Sequence, residues 1–201
     1  MDSVTPPPTV VAILELNSAE YVLAFAINLE MWNDNDIPLA VFFTFRSYGT
    51  WLHGDERGSV DRHHNVYGTP RIAQNTNWKN FNETLLKRPP LVLNAEQRKS
   101  VEKAIRETCD KRRWELFAFN IRTNHVHLVV DIRAKDPKQA LGALKANATR
   151  QMREDRVWDD EDTPWAEKGS KRRLWNLKSL GEAIDYVINR QGDDLPDYDW
   201  W

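Results

Sequence analysis

The chain has 201 residues, 41% hydrophobic and 29% charged, enough to bury a proper core in one domain carrying extensions. A single cysteine, Cys109, excludes an internal disulfide or a cysteine-rich metal site and suits a reducing cytosol. The formal net charge of -2 excludes a uniformly basic nucleic-acid binder, although cations cluster between Arg98 and Arg113 and between Lys168 and Arg173.

Residues 1–37 read as an N-terminal extension. The stretch Val10 to Leu29 is apolar but interrupted by Glu15, Asn17, Glu20 and Asn28, so it makes a poor membrane span, and no cationic segment precedes it as a signal peptide requires. A short helix is expected from Ser18 to Trp32, and Met31, at the break in composition, is an alternative translation start. Leu39 to Arg46 is a buried strand. Between Gly49 and Pro90 the residues are polar and without period, which predicts a long loop.

Asn94 with Gln97 three residues on opens a helix to about Arg113, its apolar positions Val101, Ile105 and Cys109 recurring every four residues. A strand from Trp114 to Ile121, the turn Arg122-Thr123-Asn124 and the run His125 to Asp131 form a hairpin. After Asp136-Pro137 a second helix runs to about Arg153 with Ala140, Leu141, Leu144 and Ala148 on one face. The acidic stretch Glu154 to Asp162 is a loop, and Lys171 to Trp175 a short strand. Ser179 caps a last helix carrying Leu180, Ile184, Tyr186, Val187 and Ile188, which Gly192 ends.

This order predicts an α+β, ferredoxin-like βαββαβ fold: a four-stranded antiparallel sheet with two helices on one face, plus a C-terminal helix carrying Tyr186. Residues 38–192 form the domain, and residues 193–201 an acidic, aromatic tail.

His125-Val126-His127 carries the chemistry. Alternate strand residues share a face, so the two imidazoles emerge together, roughly 7 Å apart along the strand, and their ring nitrogens can converge on one metal ion. The other reading is a half-exposed strand face without a ligand role. Tyr186 is either a core residue with its hydroxyl at the surface or, placed above such a pair, a nucleophile. Gln191 or Asn189 can add an amide oxygen. Two imidazoles and an amide suit Mg2+ or Mn2+, whereas structural zinc wants a closed set of four. Nine tryptophans, among them Trp114, Trp165 and Trp175 beside cationic segments, suit single-stranded nucleic acid, where bases stack and the backbone is neutralised.

The strand Phe42-Phe43-Thr44-Phe45-Arg46 with Tyr48-Gly49-Thr50-Trp51-Leu52, the hairpin Asn120 to Val130, and Arg173-Leu174-Trp175-Asn176 leading to Ala183-Ile184-Asp185-Tyr186-Val187 resemble the REP-associated tyrosine transposases of bacteria, in the single-tyrosine HUH, insertion-sequence-200-like superfamily. The resemblance spans about residues 39 to 192 and implies metal-dependent nicking and strand transfer on single-stranded DNA through a 5′-phosphotyrosine link, in DNA transposition. It makes His125 and His127 metal ligands and Tyr186 the nucleophile, with Mg2+ or Mn2+ as the cofactor.

Related sequences place Asn or Gln four residues after the tyrosine, where this chain has Arg190. Gln191 is favoured as third ligand because a helix end before Gly192 can unwind enough to redirect it, and Arg190 is left to contact the substrate phosphate. Arg46, Lys111, Arg112, Arg113, Arg172 and Arg173 are further phosphate contacts. The implied partner is a single strand folded into a palindromic hairpin, bound by a monomer or a homodimer in the bacterial cytoplasm at the nucleoid, away from membranes. The alternative is a domesticated protein that binds DNA or RNA hairpins without cutting. His53, His63 and His64 are expected on the surface of the long loop.

Overall fold

The alternation of β1 (Ala40–Ser47) decides the layering. Val41, Phe43 and Phe45 point to one face and are fully buried, while Ala40, Phe42, Thr44 and Arg46 point to the other. The structure, a computed structural model, describes residues 37–56, 58–59 and 72–192. The expected helix at 18–32, Met31, His63, His64 and the tail 193–201 lie outside them.

After β1 the chain forms α1 (Thr76–Thr84), α2 (Ala95–Arg112), β2 (Glu115–Ile121), β3 (His125–Asp131), α3 (Pro137–Glu154), β4 (Trp165–Leu174) and α4 (Leu177–Asn189). The strands make one antiparallel sheet in the order β2-β3-β1-β4. This is the expected α+β, ferredoxin-like arrangement, and the histidine strand β3 is central in it. No helix among the described residues is long and apolar enough to cross a membrane.

Helices α2 and α3 cover the face of Val41, Phe43 and Phe45. Val101, Ile105 and Cys109 from α2 and Ala140, Leu141, Leu144 and Ala148 from α3 are buried there against Val126, Leu128 and Val130. Burial pushes the Cys109 thiol up to about 12, so it packs as an uncharged, unreactive side chain. Asn94 and Gln97 form the expected capping box on α2, and Asp136 caps α3 with Pro137 in the first turn.

Helix α4 packs on the opposite face, where Leu180, Ala183, Ile184 and Val187 meet Ala40, Phe117, Val129 and Leu174. A register shift between Leu116 and Ala118 lets the adjacent Phe117 and Ala118 both contribute to this second cluster.

Three expectations are corrected. The stretch Gly49 to Pro90 contains α1, capped by Asn75; none of its residues is buried, so no apolar period announces it. Strand β4 begins at Trp165 rather than Lys171 and stops before Trp175; it is an edge strand whose Glu167, Lys168, Gly169 and Ser170 carry no hydrophobic alternation. The cap of α4 is Asn176, whose side chain accepts from the Ser179 amide, not Ser179 itself.

The end of β1 is fastened to the start of β3. Ser47 N donates to Asn124 O at 3.0 Å, and the Ser47 hydroxyl reaches Leu91 O at 2.6 Å. Thr50 Oγ1 also donates to Asn124 O, at 3.2 Å. Beyond, α1 packs so closely on Gly54 (φ +88°) that a Cβ there would lie 2.3 Å from Asn75 O. The loop after β1 is thereby held at the histidine end of the sheet. On β4, the Lys145 ammonium from α3 reaches the carbonyls of Ala166 (2.7 Å), Glu167 (3.3 Å) and Lys168 (2.8 Å), where the register with β1 shifts.

Candidate active site

His125 and His127 project from β3 toward the side of the sheet that carries α4. Their ring centroids are 4.6 Å apart. In register, His125 pairs with Arg46 and His127 with Thr44 on β1, and His127 pairs with Asn120 on β2. The site is therefore floored by three neighbouring strands.

His127 is buried, and that burial, reinforced by His125, pushes its imidazole down to about 3. It is neutral through the working range. An imidazole whose folded value lies below its unfolded 6.5 binds fewer protons in the native state, so stability is full above about pH 6.5 and falls as pH drops toward 3. In metal-free protein, urea denaturation is expected to show that loss with a slope of up to about 1.4 kcal/mol per pH unit. His127→Gln, neutral at every pH, is expected to flatten the slope; an unchanged slope would assign it to other groups.

Hydrogen bonds at the inner ring nitrogens orient both rings. His127 Nδ1 lies 2.8 Å from the Thr44 hydroxyl, and a proton on Nδ1 donated to Thr44 leaves Nε2 with its lone pair. His125 Nδ1 is 2.6 Å from Asn124 Oδ1, an oxygen that can only accept, so the proton sits on Nδ1. His125 Nε2 then faces Gln191 Oε1 at 3.5 Å, while Gln191 Nε2 donates to Tyr186 O at 2.8 Å. A ring nitrogen and an amide oxygen thus face each other as acceptors. That pairing calls for a cation between them, either a proton on Nε2 or a metal ion, and the side chains fit a divalent ion held by two imidazoles and an amide. Among the described residues no group of three or more His, Cys, Asp or Glu side chains could hold a metal.

Tyr186 is delivered by α4. The apolar stripe of Leu180, Ala183, Ile184 and Val187 docks the helix, which leaves Tyr186 40% exposed on the flank toward the histidines. Its ring meets His127 edge-on (centroids 5.5 Å, 79°) and Phe42 likewise (5.9 Å, 73°). Phe42 also lies against His127 at 5.4 Å. The phenol ring thus lies against His127 and Phe42 in a residue that stays partly exposed.

Of the two amides named from the sequence, Gln191 is brought to His125 and Asn189 is not. Asn189 Nδ2 donates to Asp185 Oδ1 at 2.9 Å. Arg190 pairs with the other oxygen of Asp185 at 2.6 Å. Asn189, followed by Arg190, holds the Asp185 carboxyl below its ordinary range.

The cations divide. Arg46 stands beside His125 in register, donates to Trp51 O at 2.6 Å and lies over the Trp51 ring at 5.2 Å. Arg172 lies over Phe42 at 5.8 Å, on the site face. Arg190 is at the end of the tyrosine helix. Arg173 pairs with Val41 and so takes the helix-covered face, away from the histidines. Lys111, Arg112 and Arg113 end α2 just before β2, at the opposite end of the sheet from His125. Trp114 and Trp165 belong to the core, and Trp175 is exposed. His53 is half-buried and stacks on Trp78 at 5.0 Å, apart from the paired histidines.

Sequence reasoning missed Thr44, Phe42, Asn120 and Asn124 as parts of the site. A threonine inside the apolar run Val41-Phe42-Phe43-Thr44-Phe45 is the one local signal among them.

Residues 85–176 match the family model described as "Transposase IS200 like", a segment that contains both histidines but neither β1 nor Tyr186. The match bears out the insertion-sequence-200-like part of the resemblance read from the sequence and supports a transposase-type function. No curated protein matches the chain. Among solved structures, the chain is similar to a "putative transposase" from Deinococcus radiodurans (11% identity, TM-score 0.45, covering 82% of this chain and 100% of that one). It is also similar to a REP-associated tyrosine transposase bound to a REP hairpin (14% identity, TM-score 0.43, 79% and 70%).

Proposed function

We propose that this chain nicks and rejoins single-stranded DNA in a metal-dependent reaction that passes through a 5′-phosphotyrosine link, as a single-tyrosine HUH transposase. One observation carries the reading: the Tyr186 ring meets the His127 ring at 5.5 Å between centroids, and the neighbouring His125 faces the Gln191 amide oxygen at 3.5 Å. A phenol beside an oriented donor set is the constellation that phosphoryl transfer to tyrosine requires. The family match supports the transposase-type activity, and the resemblance supplies the substrate class, a strand folded into a hairpin.

In the reaction the Tyr186 phenol oxygen attacks the scissile phosphorus. A phosphorus–oxygen bond to tyrosine forms, the bond to the 3′ oxygen breaks, and the phenol proton is balanced by the one the departing 3′-hydroxyl gains. One phosphodiester replaces another, so no ATP is needed, and a 3′-hydroxyl reverses the step to join strands. Mg2+ or Mn2+ bound by His125, His127 and Gln191 would supply Lewis-acid polarisation of the phosphate and ease ionisation of a phenol whose ordinary pKa is about 10.

Thr44 and Asn124 hold the two rings in the tautomers that leave the outer nitrogens available. Arg46, Arg172 and Arg190 stand on the site side, where they can take the strand's phosphates.

Incubation with a hairpin-bearing single-stranded oligonucleotide and Mn2+ is expected to give a covalent protein–DNA adduct on a denaturing gel, and EDTA is expected to abolish it. DNA retained on a native gel with no adduct would instead support a hairpin binder that does not cut.

A further inference from the structure

We infer that Asn120 is a positioning residue that seats the tyrosine helix over the histidines, an assignment that rests on the nuclease reading above. Asn120 lies on β2 as the register partner of His127 and is 9% exposed. Its side-chain Nδ2 donates to Val187 O at 3.1 Å, across the gap between sheet and helix.

That carbonyl belongs to the last turn of α4. A helix leaves its final carbonyls without internal partners. Here Tyr186 O takes the Arg190 amide at 3.3 Å and Gln191 Nε2 at 2.8 Å, and the next carbonyl, Val187 O, is taken by the sheet through Asn120. The end of α4 is therefore capped by the strand neighbour of a proposed metal ligand.

Apart from Gln191 against His125, the remaining docking among the described residues is apolar. Contacts of Leu180, Ala183, Ile184 and Val187 with the sheet favour burial but are not directional, so a shift of the helix along its axis costs them little. A hydrogen bond from a buried strand residue is directional and sets both height and rotation at the residue following Tyr186.

Asn120 also carries a penalty that packing alone does not explain. Its Oδ1 is buried with no hydrogen-bond partner among the described residues. The amide cannot be turned over to relieve this, because Oδ1 would then face the Val187 carbonyl. A leucine or valine would fill the space without an orphaned acceptor. A polar group kept buried in this condition beside His127 points to a functional demand on the helix it holds.

The test uses the full chain and the variants Asn120→Leu, which deletes the donor, and Asn120→Asp, which keeps the shape and sets an acceptor against Val187 O. Adduct formation is timed with saturating hairpin oligonucleotide and Mn2+, and backbone hydrogen exchange is followed in parallel. Both variants are expected to lose about ten- to hundredfold in adduct rate at saturation. The DNA and Mn2+ concentrations for half-maximal rate should stay within about twofold of wild type. Exchange should accelerate in the last turn of α4 and not in α2 or α3.

If either folded variant reacts at the wild-type rate with unchanged exchange in α4, the assignment is overturned. A loss removed by raising DNA or Mn2+ would also overturn it, by making Asn120 a binding determinant. If wild type forms no adduct, the nuclease reading falls, and exchange at the end of α4 alone decides whether Asn120 seats the helix.

Discussion

Tyr186→Phe is expected to abolish the covalent adduct, lowering its rate by more than about a thousandfold, while hairpin DNA is still retained on a native gel. The substitution removes one oxygen from a ring whose body contacts His127 and Phe42, so the packing of those rings persists. Because Tyr186 is 40% exposed and lies off the buried stripe of α4, the melting temperature is expected to stay within about two degrees of wild type. Persistence of adduct in this variant would move the nucleophile elsewhere.

The second large effect concerns the amide. Gln191→Ala removes the oxygen that faces His125 Nε2 and is expected to raise the Mn2+ concentration for half-maximal adduct formation by about ten- to hundredfold. Asn189→Ala breaks only the bond to Asp185 and is expected to leave that concentration within about twofold. Titrating Mn2+ against adduct rate in the two variants checks the ranking, and a larger effect at Asn189 would refute the assignment. Gln191 reaches the histidine from beyond the end of α4, where the backbone has left the helical path at Arg190. That departure lets a residue five positions after Tyr186 turn toward His125.

What the sequence disclosed follows from how local each signal is. The apolar runs of β1 and β3 and the period near four in α2 and α3 are written by burial, and those elements lie where the patterns place them. Where burial is absent the pattern is absent. Helix α1 buries nothing, and the β4 edge carries glycine and charges where a central strand would alternate, so neither could be bounded from local periodicity. The cap of α4 was displaced by three residues because Asn176 and Ser179 are both competent caps, and only the backbone shows which one accepts.

The site divides in the same way. His125 and His127 are visible because a strand places alternate residues on one face, and Tyr186 because it sits on an amphipathic helix. Thr44 and Asn120 are not, because their roles arise from pairing across β1–β3 and β2–β3, and the register that sets each beside His127 is a long-range property of the fold. The same limit applies to the cations. Arg172 and Arg173 are neighbours in sequence yet take opposite faces of β4, and the cluster ending α2 lies at the far end of the sheet. Charge runs show how many cations exist, while topology decides which of them a DNA strand at Tyr186 could meet.

Mass spectrometry of the trypsin-digested covalent adduct tests the central claim most directly. The account predicts one modified peptide, containing Tyr186 and carrying the nucleotides 3′ of the nick through a phosphodiester, with a free 3′-hydroxyl on the released strand. Attachment at any other residue, or cleavage that leaves a free 5′-phosphate and no protein-linked DNA, would contradict it.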